Sequence, residues 1–263
     1  RPENAKKISL ASGAVLTINP TANLTVGKNY AIQIAATAID DTAGTSFAGI
    51  TNDPVPFYSR RIGLAADGTT PDLLGGAKIT GRAGPWTIGV LDVQTDEHNS
   101  LEAKNLFVGR LSRQVFDESS VGVIATHGDP HTNGDNTLVG ADFAYVNSHI
   151  AGTKSLAVRG AVQATDSDRA DGIDAATTVW ATFPNEPLNF IWWYNNIEDR
   201  FDPALGFVSR TGIQEFYTYH GYVVHPKLRF IEQAEFFCET DYITDLHGNL
   251  LDDGVWTGVF MRS

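Results

Sequence analysis

Ser155-Leu156-Ala157-Val158-Arg159-Gly160-Ala161-Val162-Gln163-Ala164 sets Leu156, Val158, Gly160, Val162 and Ala164 against Ser155, Arg159 and Gln163. A period of two with one apolar and one wet side is the signature of a β-strand lying between two environments. The pattern returns further along the chain, where Leu228, Phe230, Ala234, Phe236, Cys238 and Tyr242 oppose Arg229, Gln233, Glu235, Glu239 and Asp241, with Glu232 out of step. Residues 86–95 and 105–116 alternate less cleanly.

Outward from these stretches, polar or Gly/Pro/Asp-rich breaks delimit about twelve candidate strands: 55–64, 73–82, 86–95, 105–116, 120–126, 136–146, 154–165, 177–183, 188–197, 213–224, 228–244 and 255–263. Most are near the ~9–11 residues that a tilted strand needs to cross a bilayer. The breaks alternate in length. Short ones fall at 83–85, 117–119, 147–153, 184–187 and 225–227, and long ones at 65–72, 96–104, 127–135, 166–176, 198–212 and 245–254. An up-and-down barrel puts every second connection on the same rim, and outer-membrane barrels pair short periplasmic turns with long external loops. The expected fold class is therefore all-β: an antiparallel up-and-down β-barrel of about 12 strands, of the outer-membrane type, over residues 54–263. Its long loops share one rim, and both ends of the barrel lie on the other. A soluble sandwich or barrel with one solvated face gives the same period and stays open as the alternative.

Composition narrows the partners. The 263 residues carry 19 Lys+Arg against 31 Asp+Glu, a formal charge of −12. Without a basic stripe there is no phosphate-binding surface, so nucleic acid is not an expected partner. One cysteine, Cys238, rules out an internal disulfide or a CxxC site and reads as a small apolar residue. No apolar run reaches the ~18–20 residues of a membrane helix. The chain opens at Arg1 with no signal peptide, which suggests a processed chain or a fragment.

Residues 1–53 differ from the rest: they lack Trp and His and are rich in Ala, Thr and Ile. Ala14 to Pro20 and Leu24 to Ile34 form two β-like runs, followed by Asp40-Asp41-Thr42-Ala43-Gly44 and Phe47-Ala48-Gly49. This segment resembles the C-terminal half of a bacterial Ig-like domain of the surface-layer type, and implies a partial Ig-like β segment or linker before the barrel.

A second resemblance covers the residues after Val55. It is carried by Pro56-Phe57-Tyr58-Ser59-Arg60-Arg61-Ile62-Gly63-Leu64, Leu74-Gly75-Gly76-Ala77-Lys78-Ile79-Thr80-Gly81-Arg82 and Trp86-Thr87-Ile88-Gly89-Val90-Leu91-Asp92. Asn105-Leu106-Phe107-Val108, Arg110-Leu111, Ser119-Ser120-Val121-Gly122, Asn136 through Gly140-Ala141-Asp142, Phe201-Asp202-Pro203 and Gly206-Phe207-Val208 continue it. These motifs resemble the bacterial domain-of-unknown-function family numbered 5916, which implies an outer-membrane-type barrel. Members of that family commonly carry a carbohydrate-binding module upstream and a longer barrel. The family has no established activity, so no catalytic residue is carried over. The chain also ends Phe260-Met261-Arg262-Ser263, without the terminal aromatic of the usual barrel-assembly signal.

Several residues invite chemistry. Arg60, Arg61 and Arg82 are costly on a lipid face, about 2–4 kcal/mol each at mid-bilayer. Some should point into the lumen, either as an anion- or sugar-selective constriction or paired with Asp92 and Asp142. Phe190, Trp192, Trp193 and Tyr194 suit either sugar stacking or an aromatic girdle, and Trp86, Trp180 and Trp256 fall near strand ends as belt residues. The ligand-binding candidates are thus Arg60, Arg61, Arg82, Trp192 and Trp193. His127-Gly128-Asp129-Pro130-His131 carries metal-ligand types, but on a loop without an evident frame. Asp166, Asp168, Asp171 and Asp174 lack the spacing of a twelve-residue calcium loop. Glu198, Asp199 and Asp202 could pair for glycoside hydrolysis, a matter that spatial separation decides. No catalytic or cofactor motif is present. The expected function is an outer-membrane barrel acting as channel, nutrient or glycan receptor, or scaffold, without catalysis. Its partners are outer-membrane lipid and carbohydrate or another small solute. The alternative is a soluble secreted β protein that binds or cleaves carbohydrate.

Overall fold

The computed structural model describes residues 54–65, 68–227 and 230–262. The Ig-like reading of residues 1–53 lies outside them. Eleven strands form one sheet: β1 (Leu73–Ala83), β2 (Trp86–Thr95), β3 (Asn105–Val115), β4 (Ser119–His127), β5 (Asn136–Ile150), β6 (Lys154–Ser167), β7 (Ala170–Pro184), β8 (Leu188–Ile197), β9 (Ile213–Val224), β10 (Gln233–Asp245) and β11 (Leu250–Arg262). Their spatial order is their sequence order, and every neighbouring pair is antiparallel. The chain is an up-and-down antiparallel sheet, as its period of two predicts.

Two connections are tighter than the sequence suggests. Strands β6 and β7 continue to Ser167 and from Ala170, so the expected 166–176 loop shrinks to Asp168 and Arg169. The 245–254 break shrinks likewise, to 246–249. In both places acidic residues that read as a loop instead pair in register, Thr165 with Asp174 and Ile243 with Asp252. Asp252 stands in water there, and Asp174, buried, pairs with Arg200 at 2.7 Å.

The first expected strand, 55–64, is not a strand. Pro54 and Pro56 cannot donate to a ladder, and the buried residues Phe57, Ile62 and Ala65 lie five and three apart rather than two. Ser59–Arg61 forms a single 3-10 turn. Val55 makes an isolated bridge with Phe207, exchanging both backbone hydrogen bonds at 2.8 Å, and does not pair with β11. The segment lies against one face of the sheet, where the amide of Gln163 on β6 donates to the Pro54 carbonyl at 3.0 Å. From there the chain climbs to β1 at the rim carrying the 96–104 and 198–212 loops. The interior segment stays at the long-loop end of the sheet and takes no place in it as a twelfth strand. With eleven strands β1 starts at that rim and β11 ends at the other, so the sheet does not return to the rim it left.

The core is one cluster at the long-loop end. Leu91, Val93, Leu106, Val108, Ile124, Leu138, Ala176, Ile197 and Ile213 from β2 to β9 meet Phe57, Ile62, Phe201 and Leu205, with Leu73 of β1 and Ile243 of β10 packed alongside. Strands from β1 to β10 reach a single cluster only if the sheet curls around it. Its concave face therefore surrounds residues 54–65 and the 198–212 loop. Full burial of Phe201 and Leu205 contributes roughly 1.5–3 kcal/mol each.

Candidate functional site

Phe201-Asp202-Pro203-Ala204-Leu205-Gly206 turns inward because its apolar side chains have the cluster to enter and its polar groups find partners there. The Gly206 amide closes a tight turn on the Pro203 carbonyl at 2.7 Å. Asn136, fully buried at the start of β5, clamps the loop: its Nδ2 donates to the Asp202 carbonyl at 2.8 Å and its Oδ1 accepts from the Ala204 amide at 3.4 Å. Tyr58 N–H donates to the Leu205 carbonyl at 2.7 Å. A Cβ on Gly206 would lie 2.1 Å from the Val55 carbonyl oxygen, so glycine is required where the two inner segments touch. Together they form a plug across the long-loop end of the concave face.

A charged latch holds the plug to the rim. Arg61 donates to the Gly206 carbonyl at 2.9 Å and lies 3.0 Å from Nε2 of His131. Asp129, 1 % exposed, accepts from the His131 amide and the Thr132 hydroxyl, and pairs with Arg169 at 3.2 Å. Arg169 also pairs with Asp202 of the plug at 2.5 Å. Desolvation, then the Arg61 charge, holds His131 below the ordinary histidine range. Burial pushes the Asp202 carboxyl up, against the pull of Arg169. The 127–135 loop is thus framed by these contacts, whereas its Gly and Pro content suggested an unframed loop. Among the described residues no three His, Cys, Asp or Glu side chains converge as metal ligands.

Below the plug the concave face is polar. Arg110 of β3 and Asp142 of β5 form a two-pronged pair at 2.7 and 2.9 Å, about nine-tenths buried on both sides. Across β6 to β10 one register row runs Arg159, Trp180, Trp193, Tyr217, Asp241. The row above it runs Thr178, Asn195, Glu215. The Arg159 guanidinium lies over the Trp180 ring at 5.2 Å, and Trp193 meets Tyr217 edge-on. Tyr219 donates to Glu235 at 3.0 Å, and Phe237 stacks on Phe260.

The convex face is the reverse. Val139, Val162, Phe236 and Val255 are 55, 50, 51 and 67 % exposed, with Ile88, Val123, Phe143, Val179, Tyr222 and Val259 among their outward neighbours. The polar groups in that band satisfy one another: Trp192 Nε1 donates to His220 Nε2 at 3.3 Å, and the Thr218 and Thr240 hydroxyls meet at 2.8 Å. Polar or charged residues close the band toward the long-loop rim, among them Asp92, His127, Asp166, Asn196 and Gln214.

The sequence-based candidates scatter over this frame. Arg61 belongs to the latch, while Arg60 is exposed on the 3-10 turn and Arg82 is exposed at the short-turn end of β1. None of the three pairs with Asp142, which takes Arg110 instead; Asp92 lies on the convex side and accepts from Asn105. Trp192 and Trp193 are adjacent in a strand and so face opposite ways, Trp192 outward and Trp193 inward, and cannot share a ligand. Trp86 is convex, stacked with Arg113 at 5.2 Å, but Trp180 and Trp256 are concave and belong to no outer belt. Glu198 accepts from the Ala175 amide, and Asp202 serves the latch. Asp174 binds Arg200 at 2.7 Å, and Asp168 accepts from the Asp135 amide. Sequence reading singled out Asn136 and Gly206 only within motifs and Asp129 only as a metal-ligand type, and passed over Leu205 and Arg169; the apolar run Phe201 to Leu205 inside a long break was the one signal for the plug. No protein-family model, curated protein or solved structure matches the chain, so these assignments rest on its own residues.

Proposed function

We propose that residues 54–263 form a membrane-spanning β-barrel of the bacterial outer-membrane type, closed at its long-loop end by its own chain. The observation that carries this reading is the inversion of polarity: apolar side chains cover the middle of the convex face of β2 to β11, with convex charges such as Asp92, Arg113 and Asp166 toward its two rims, and the mid-strand charges Arg110, Asp142 and Arg159 point inward. An exposed apolar surface this extensive is unfavourable in water and favourable against lipid. Five alternating apolar positions span nine residues, about 30 Å along a strand and less once tilted, which suits an apolar band of about 25 Å. The mutual pairing of Trp192 with His220 and Thr218 with Thr240 supports the same reading, because hydrocarbon offers no other partner. Strands β1 and β11 both run from the long-loop rim to the short-turn rim, so closure between them makes a parallel seam.

The plug favours a receptor or gated channel for a small solute, or a scaffold, over a pore that stands open. The motif resemblance to the family numbered 5916 agrees with this. The soluble carbohydrate-cleaving alternative gains nothing from the site, because Glu198 and Asp202 are engaged in structural contacts and Trp192 faces away from them. The test is extraction and reconstitution. The chain should need detergent to remain monodisperse, and should enter lipid vesicles with its β signal retained. A monodisperse monomer in plain buffer overturns the proposal.

A further inference from the structure

Beneath the plug, the concave side of β7 to β11 is acidic. Glu215, Glu235, Glu239, Asp241 and Asp252 share that side, and the only cation on the concave side of β9 to β11 is Arg262 at the far end, beside Glu232. Carboxylates alone make no site, but a second and independent set of groups points into the same space. Asn195 is 1 % exposed; its Nδ2 donates to Glu215 at 2.9 Å, and its Oδ1 has no hydrogen-bond partner among the described residues. The hydroxyl of Thr178, its cross-strand neighbour and 3 % exposed, is also without one. In the row below, Trp193 Nε1 and Asp241 Oδ1 are buried and unpartnered, on either side of Tyr217. An unmade buried hydrogen bond leaves the desolvation of the polar group uncompensated. Four of them within two adjacent rows mark groups awaiting a partner.

We infer that this half of the concave face binds a small amine-bearing polyol, such as an amino sugar, between Trp193, Tyr217, Asp241 and Asn195. The ammonium answers the carboxylate of Asp241, and hydroxyls of the same molecule accept from the Trp193 indole and meet the Asn195 amide oxygen and Thr178. The rings supply the flat faces. The chain already uses this chemistry one strand over, where the Arg159 guanidinium covers Trp180. The site deepens the receptor reading, on which it rests for its enclosed interior.

The test uses the full chain in detergent micelles, titrated with D-glucosamine and with D-glucose at mildly acidic pH, followed by tryptophan emission and calorimetry. Glucosamine should bind saturably and at least about tenfold more tightly than glucose, and Asp241→Asn should remove most of that difference. Equal affinity for the two sugars, preference for glucose, or no saturable binding of either overturns the site. The wild-type ratio needs no variant, so misfolding of D241N leaves the test intact. A chain that is monodisperse without detergent would instead defeat the barrel reading, which separates the two failures.

Discussion

Gly206 shows how narrowly the plug is fitted. Its missing side chain lets two backbone segments meet edge to edge, and the atoms a Cβ would strike are the Val55 and Pro56 main chain, which cannot rotate away. Gly206→Ala should cost about 1–3 kcal/mol of docking, raising amide exchange at Val55, Tyr58 and Phe207 by about tenfold to a hundredfold while β7 and β8 amides keep their protection. A uniform rise would mean that plug and sheet open as one unit. His131 gives the latch a pH dependence. Its folded pKa lies below the ordinary 6.5, so its contribution is present above that value and is lost as pH falls through the lowered one. Asp202 acts in the opposite sense: its pKa is raised, so acidification relieves the cost of its buried charge. Protection of the Tyr58 amide, taken relative to the intrinsic exchange rate at each pH, should therefore fall from neutral pH downward, and His131→Gln should abolish that fall. An unchanged profile in the variant would remove His131 from the latch.

At the scale of elements, the period of two carries nearly everything about the wall. Residues 86–95, 188–197 and 213–224 are read from sequence with the bounds the strands have, because turn residues bracket them and packing adds nothing to the decision. The failures have physical causes. Segment 55–64 is apolar and of strand length, yet its two prolines and uneven apolar spacing suit an interior strap. Residues 166–176 read as an acidic loop because sequence does not show where the apolar band stops and strands continue into water. Adjacent Trp192 and Trp193 could have been assigned to opposite faces by parity alone. The plug was not legible, since which loop folds inward depends on space that only the assembled sheet defines. The outward side chains yield a direct prediction. Val139→Arg should destabilise the vesicle-inserted protein by about 2–4 kcal/mol, measured by denaturant unfolding, whereas an Arg at a merely water-facing position costs almost nothing.

For the molecule as a whole, the sheet curls around the strap and the inward loop, which fill the long-loop end of its polar, partly aromatic concave face. Pro54 lies on that face beside Gln163, and the chain leaves it at the long-loop rim to begin β1. The Val55–Phe207 bridge joins the two plug segments to each other, and the Arg169–Asp202 pair joins the plug to the rim, which couples rim chemistry to the position of the plug. All of this depends on the convex face meeting lipid. The most direct measurement replaces Trp86, Trp180, Trp193 and Trp256 by Phe, leaving Trp192 as the sole indole, and places the protein in vesicles whose acyl chains are brominated at defined depths. Trp192 lies outward within the apolar band, so its emission should be quenched most strongly by bromines well inside the hydrocarbon and only weakly by a water-soluble quencher. Strong aqueous quenching with no effect of the brominated chains would contradict the account.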